Sequence, residues 1–537
     1  MEVDDAPSNS LPEHFTAVLN IVQHSHVKEF VLSHRREQHP SSRDDLSVAL
    51  KDPFAGSTHI LFPLKFNDGG QRWVIKIPWN GTPGRWDDMS VRELLTEAQT
   101  LSMIKKETSI PVPAVHAYST TTENELGCPY ILMDYIGGVK LRDLWFDDAL
   151  PADAQQMRRT RALRELAHFM AQLDKFTFDH AGWLQYTFKE TEYYEDDEED
   201  SKLHPVGTSV WRVIDHQATI ATEGVGTNDY GDEEPPSIKY AELYPRSETF
   251  SFYTDLLSHR LAYDVLDKGY AELLYLFMTW LPEPELGGDK KPFVLTHPLL
   301  DFRNIRVSNH GALRGIVGWS APLVVPHSLG NTRYPLWLIG DYNPVSYESE
   351  VDLHGRVVRD FDGHDDYDTP QAMAFYRNLW DNLIAGSMYS QNKEMYAPQA
   401  VTRAAANDDD DDTSSTPPTS PATTSRNSLI AQSLSLAALY PEYTRPILGN
   451  LFGEITRILG KGPYRPELDK WYEAAGDVPG DLSDDDSISG TIEDRDVLDE
   501  DPGEEFEERK VVTALALGVL DETRLGWLRD GFMALLA

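Results

Sequence analysis

The stretch Thr296–Ser320, THPLLDFRNIRVSNHGALRGIVGWS, decides how this chain is read. FVLT (Phe293–Thr296) leads into it as a short apolar strand. IRV and LRGIVGW read as two more strands, and SNHGA between them is a turn signal. His297 and Asn304 stand seven residues apart at the two ends of the segment HPLLDFRN. A histidine and an amide held that way between strands are suited to fixing a loop, or to presenting a base and a metal ligand to a bound group.

Working outward, STHILFPLKF and RWVIKIP are apolar, β-branched runs joined by the turn NDGGQ. Lys76 lies in the second. A lysine in such a strand either sits at an edge in solvent or reaches inward to hold phosphates. The following segment, VRELLTEAQTLSMIKKE, has one apolar helical face of Leu94, Leu95, Ala98, Leu101 and Ile104. It also carries Glu97, with Glu93 one turn earlier. A helix glutamate paired with a strand lysine orients the ammonium. SIPVPAVHAYS is extended because its prolines exclude a helix. PYILMDYIGG is a buried strand ending in a glycine pair.

Taken as a set, these segments resemble the aminoglycoside phosphotransferase and choline kinase-like family, and its fungal members in particular. Its pattern is H-x-D-x-x-x-x-N, a strand and turn, then I-D-W. IPVPAVHAY, ILMDYIGG, FDHAGWL and TRYPLWL are similar to other family segments, and the resemblance runs from about Ser57 to Trp337 with interruptions. It implies an α+β, bilobal protein kinase-like fold with a small β-rich N-lobe and a larger helical C-lobe. It also implies ATP and Mg²⁺ as cofactors. Lys76 and Glu97 would then serve the phosphates. Met133, Asp134 and Tyr135 would form the hinge along the adenine edge, Asn304 would be a metal ligand and His297 would hold the loop. The sequence departs from the pattern at two places. The catalytic aspartate falls on Leu299, and the metal-binding aspartate falls on Gly318. The first positions the acceptor hydroxyl and takes its proton; the second holds Mg²⁺ against the phosphates. Leucine and glycine can do neither. Asp301, two residues past Leu299, is the candidate substitute base, with His297 as a second, and Asp341 is a distant carboxylate that nothing in the sequence places.

Three functions remain open on this reading. The first is a pseudokinase that has lost phosphoryl transfer and binds a nucleotide, a small molecule or a protein partner. The second is an active small-molecule kinase that transfers the γ-phosphate to a hydroxyl with Asp301 as base. The third is a structural or interaction protein. Other chemistries are not encoded: there is no G-x-x-x-x-G-K-[ST], no H-E-x-x-H, no Cys/His metal spacing and no G-x-S-x-G. His24 and His26 form an H-x-H pair that reads as helix surface.

Composition sets the outer limits. The 537 residues exceed one compact core, and 12 Trp with 24 Tyr can fill a large one. The net charge is −40, from 48 basic and 88 acidic residues, which argues against nucleic acid and anionic membranes as partners. Acidic runs at Glu195–Asp200, Asp408–Asp412, Asp484–Asp486 and Glu493–Glu508 read as solvated, disordered loops. The lone Cys128 permits no intrachain disulfide. No apolar run approaches the ~20 residues that span a bilayer. With the acidic start MEVDDAPSNS, these features place the chain in the cytoplasm, with the nucleus as the alternative. The expected organisation is a helical extension over 1–55, the N-lobe with hinge over 56–137 and the C-lobe over 138–400. The C-lobe carries an irregular acidic insertion at about 190–245. Beyond it come a disordered linker over 401–428, helices over 429–475, an acidic disordered segment over 476–508 and a final helix over 509–537.

Overall fold

The computed structural model describes residues 11–22, 24–38, 45–68, 72–147, 149–186, 205–220, 239–260, 264–282, 291–342, 350–351, 357–358, 368–403, 421–459, 511–520 and 522–536. The four acidic runs, the expected acidic segment over 476–508 and most of the expected linker over 401–428 lie outside these residues.

The chain opens with two helices, α1 (Thr16–Ile21) and α2 (His24–Gln38), separated where Val22 turns extended. Strands β1 (Val48–Leu50), β2 (Phe54–Ala55), β3 (His59–Phe66) and β4 (Arg72–Pro78) follow, then helix α3 (Asp88–Glu107) and strands β5 (Val115–Ser119) and β6 (Tyr130–Asp134). Their order in one six-stranded sheet is β1-β3-β4-β6-β5, with β2 also on β3, and every pairing is antiparallel. Strand alternation gives the sheet two different faces. Ile60, Phe62, Leu64, Phe66, Trp73, Ile75 and Ile77 form one core with Phe15, Val18, Val27, Phe30 and Val31 of the N-terminal helices. Burying each such side chain contributes about 1.5–3 kcal/mol relative to exposure. The opposite face carries Val74 and Lys76. Helix α3 starts at Asp87, whose carboxylate accepts from the Ser90 N–H, and it ends with Lys105 and Lys106 in the last turn, as its dipole favours.

Next come β7 (Val139–Lys140), α4 (Leu141–Trp145), α5 (Ala152–Gln172), β8 (Thr177–Phe178), β9 (Gly182–Tyr186) and β10 (Pro205–Ser209). The chain continues through β11 (Trp211–Ile214), α6 (His216–Ile220), β12 (Tyr240–Leu243), α7 (Thr249–Leu257) and α8 (Val265–Trp280). It then enters β13 (Phe293–Thr296), β14 (Ile305–Val307), β15 (Leu313–Ile316) and β16 (Leu323–Pro326). β15, β14 and β7 make a three-stranded sheet; β10, β9, β16, β13 and β8 make a five-stranded one. The insertion expected to be irregular between Glu190 and Pro245 contains, among its described residues, three strands and a short helix. β10 (PVGTS) is polar and has a register break between Pro205 and Gly207, which suits a sheet edge and hides its strand character from a hydrophobicity reading.

The last helices are α9 (Pro370–Arg403), α10 (Pro421–Leu439), α11 (Thr444–Leu459) and α12 (Glu522–Leu536). The expected linker over 401–428 is corrected at its end: α10 begins inside it, and Ser428 is buried.

The contacts divide the chain into two compact units: residues 1–211, 291–325 and 382–408, and residues 212–290, 326–381 and 409–537. In the second unit, α10 buries residues on all its described sides, Ser428, Gln432, Ser433 and Ser435 among them, and packs against α7, α8 and α11. Phe277 of α8 stacks on Phe532 of α12 with centroids 4.4 Å apart. Gly269 of α8 is required there, because a Cβ would fall 2.1 Å from the Val512 carbonyl oxygen. The α+β class is as expected, and α3 packs against β5 and β6 of the first sheet. Among the described residues no helix is long and apolar enough to cross a membrane.

Candidate functional site

Every residue that the site brings together belongs to the first unit. Lys76 sits mid-strand in β4, opposite Leu61 of β3 and Ile131 of β6. Glu97 is on the buried face of α3. Lys76 Nζ donates to Glu97 Oε1 at 2.5 Å and Oε2 at 2.7 Å, and to Ser320 Oγ at 2.7 Å. The lysine is 7% exposed and the glutamate 3%. Nearby, the half-buried His59 ring is held well below its usual pKa, first by burial and then by the Lys76 charge.

The segment around His297 is a closed hydrogen-bonded frame. His297 is fully buried; its Nε2–H donates to the Val317 carbonyl (2.9 Å), and its Nδ1 accepts from the Leu299 N–H (3.2 Å). These partners assign one neutral tautomer and leave neither ring nitrogen for proton transfer. Its ring meets Trp319 edge-on at 4.6 Å, and Trp319 Nε1 donates to the Ile316 carbonyl. Asn304 Nδ2 donates to the Leu299 carbonyl (3.0 Å), while the Asn304 carbonyl accepts from the Val317 N–H (2.8 Å). Leu299 is 54% exposed, an apolar side chain standing in solvent where the family pattern has its base. Asp301 caps the short turn Phe302–Asn304: its Oδ1 accepts from the Arg303 N–H at 2.9 Å.

Gly318 has φ of +82°, and a Cβ built on it would lie 2.7 Å from both Cγ and Oδ1 of Asn304. The glycine is therefore not a bare vacancy. Asn304 fills the volume that a side chain at 318 needs. For Mg²⁺, that leaves the Asn304 amide as the only matched donor of the family pair. Among the described residues no group of three or more His, Cys, Asp or Glu side chains is placed to hold a metal. The residues present do not fit a phosphate-bridging magnesium site. Asp341 lies in the second unit, where both of its carboxylate oxygens accept from Arg377 (2.6 and 2.8 Å).

The hinge residues are only partly available. The Asp134 N–H donates to the Ala114 carbonyl and the Tyr135 N–H to the Arg72 carbonyl. Neither can serve an adenine edge unless the sheet opens. Met133 is buried opposite Val74 and Val115. The Asp134 carboxylate accepts from His116 Nε2 (2.8 Å) and the Ala114 N–H (3.2 Å). Burial pushes its pKa up, but these partners and the charges of His116 and Lys105 outweigh that and hold it below the usual carboxylate range.

Ser320 is the site residue that sequence reasoning missed. It lies 244 positions from Lys76, and no spacing rule links them. The one available signal was its place two residues beyond Gly318, next to the departed aspartate.

These features define an antiparallel sheet with a buried lysine–glutamate pair, and a hydrogen-bonded loop built on His297 and Asn304. Residues 64–223, 160 of the 537, match the family model described as APH, phosphotransferase enzyme family. The resemblance to aminoglycoside phosphotransferases stands on that match. Thr296–Ser320 lies outside the matched residues, so its register rests on the loop geometry. Among known proteins, the chain is 26% identical over 178 residues to "Altered inheritance of mitochondria protein 9, mitochondrial" of Candida albicans, covering 33% of this chain and 27% of that one. It is 42% identical over 50 residues to a subtelomeric hrmA-associated cluster protein of Aspergillus fumigatus, 9% of this chain and 10% of that protein. The curated relatives are thus matched over less than a third of their length. A solved putative aminoglycoside phosphotransferase from Ralstonia eutropha aligns at TM-score 0.34 and 14% identity, over 78% of this chain and 98% of that one. The expected cytoplasmic placement is corrected by the Candida relatives, whose names carry "mitochondrial". An acidic opening segment was an insufficient ground for it.

Proposed function

We propose that this chain is an aminoglycoside phosphotransferase-like pseudokinase, a kinase-like domain that has lost ATP-dependent phosphoryl transfer and retains a nucleotide- or partner-binding role. The observation that carries this reading is the contact between Gly318 and Asn304. Position 318 has a left-handed backbone and no side chain, and the end of the Asn304 side chain lies where a Cβ there would go, so the metal-binding carboxylate is absent by residue identity and one placed there would require Asn304 to move. Leu299 supplies no base. Asp301 is engaged in capping its own turn, and His297 has both nitrogens committed. Any nucleotide would be held through Lys76, with little dependence on Mg²⁺.

The test is ADP release from ATP and Mg²⁺ in the presence of aminoglycosides, choline, ethanolamine and sugars. No release above background is expected. Turnover that disappears in Asp301→Ala would establish the active-kinase reading instead. A thermal-shift titration with ATP separates a nucleotide binder from a purely structural domain, and stabilisation that requires Mg²⁺ would contradict the role given to Gly318. By similarity to the Candida proteins, we place the chain in mitochondria, which a fluorescent fusion in cells checks.

A further inference from the structure

An ammonium group has three protons, and Lys76 directs its contacts to three acceptors: the two oxygens of Glu97 and the hydroxyl of Ser320. The first two are the orienting pair of a kinase-like lobe. The third proton is the one left for a ligand's phosphate oxygen, and here a side chain of the same polypeptide takes it.

The backbone around Ser320 is shaped for this contact. Gly318 (φ +82°) and Ala321 (φ +51°) place two left-handed residues within four positions. Ala321 is the one non-glycine residue with positive φ among those described. An alanine in that region is strained, and it persists only where its surroundings over-determine it. Ser320 lies between these two residues, with its Oγ 2.7 Å from Lys76 Nζ. Ser320 is itself only half-buried, so the contact lies at the accessible side of an otherwise buried pair.

We propose that Ser320 is an internal competitor for the anionic group of a bound nucleotide. Its hydroxyl occupies the ligand's position at Lys76, and an incoming phosphate oxygen has to displace it. The inference rests on the reading above that Lys76 is where a nucleotide would be held. It adds that this chain's own serine weakens such binding, and that the strained Gly318–Ala321 turn is what holds the serine there.

The experiment is calorimetric titration of the full chain with ATP in EDTA, comparing wild type, Ser320→Ala and Ser320→Cys. Cysteine keeps the side chain's size and is a poor acceptor, so it guards against a folding defect in the alanine variant. Both variants are expected to bind ATP about tenfold more tightly than wild type, roughly the worth of one hydrogen bond to a charged group. Lys76 acetylation by acetic anhydride, read by mass spectrometry, is expected to be faster in both variants and to be blocked by ATP. The proposal is overturned if neither variant binds more tightly than wild type, including the case where no protein binds, or if tighter binding leaves Lys76 unprotected. The ADP-release assay stands apart: turnover by wild type would sink the pseudokinase reading whatever Ser320 does.

Discussion

Asn304 stands where a side chain at position 318 would have to go: a Cβ on Gly318 would lie 2.7 Å from Asn304 Oδ1, and the Asn304 amide is held by the Leu299 carbonyl at 3.0 Å. The two positions expected to supply magnesium ligands are thus coupled by packing. A side chain at 318 would have to displace the Asn304 amide, which donates to the Leu299 carbonyl.

Gly318→Asp should therefore fail as a restoration, even combined with Leu299→Asp. A non-glycine residue in the left-handed region costs about 1–2 kcal/mol, and the clash with Asn304 adds to it. We expect both variants to lose at least that much in urea unfolding and to release no ADP. Turnover in the double variant would mean that Asn304 moves aside easily.

The Lys76–Glu97 pair is nearly excluded from solvent, so removing one partner strands a buried charge. Lys76→Met is expected to destabilise by about 3–5 kcal/mol. The double change Lys76→Met with Glu97→Leu should recover most of that loss, since a well-packed apolar pair often replaces a buried ion pair at little cost. A double-mutant cycle by chemical denaturation measures the difference. Equal losses in the single and double variants would show that the pair is not what holds β4 to α3.

Lys76 and Glu97 were legible because a lysine inside an apolar strand, followed by a helix with an acid on its apolar face, leaves a pattern at short range. His297 and Asn304 were legible by their spacing. Ser320 was not, since its partner is a strand in another part of the chain and a hydroxyl has no periodicity. The hinge was legible as a strand, but sequence says nothing about which N–H groups the sheet consumes, and Asp134 and Tyr135 are both taken. β10 was missed because an edge strand with Pro, Gly and Ser reads as loop. The start of α10 was missed because PATTSRNS reads as low complexity; at its end Ser428 is buried, with its hydroxyl donating to the Ser328 carbonyl.

Asp134 gives the fold an acid-sensitive joint. Its folded pKa lies below the ordinary value of 3.8. The ionised carboxylate therefore contributes stability above the unfolded value, and that contribution is lost as pH falls through the lower folded value. Asp134→Asn is expected to lower stability at pH 6 and to flatten its decline below about pH 4. Thermal melts of both proteins from pH 7 to pH 2.5 check this. Parallel acid limbs in the two proteins would remove Asp134 from the account.

Cys128 offers a single-site report on the core of the first sheet. It is fully buried in the core that α1 and α2 share with the sheet, and burial pushes its thiol up to about 11. At pH 8 the thiolate, which is the reactive form, is scarce as well as hidden. A thiol reagent such as Ellman's should therefore leave the native chain unlabelled and react with one equivalent in denaturant. Because the chain has one cysteine, the rate of native-state labelling reads the opening of this core alone. Deleting residues 1–38 removes Phe15, Val18, Val27, Phe30 and Val31 from around it, and the labelling rate should then rise by orders of magnitude. An unchanged rate in that truncated protein would mean that the sheet keeps Cys128 closed without the N-terminal helices, and their role as a structural part of this core would fall.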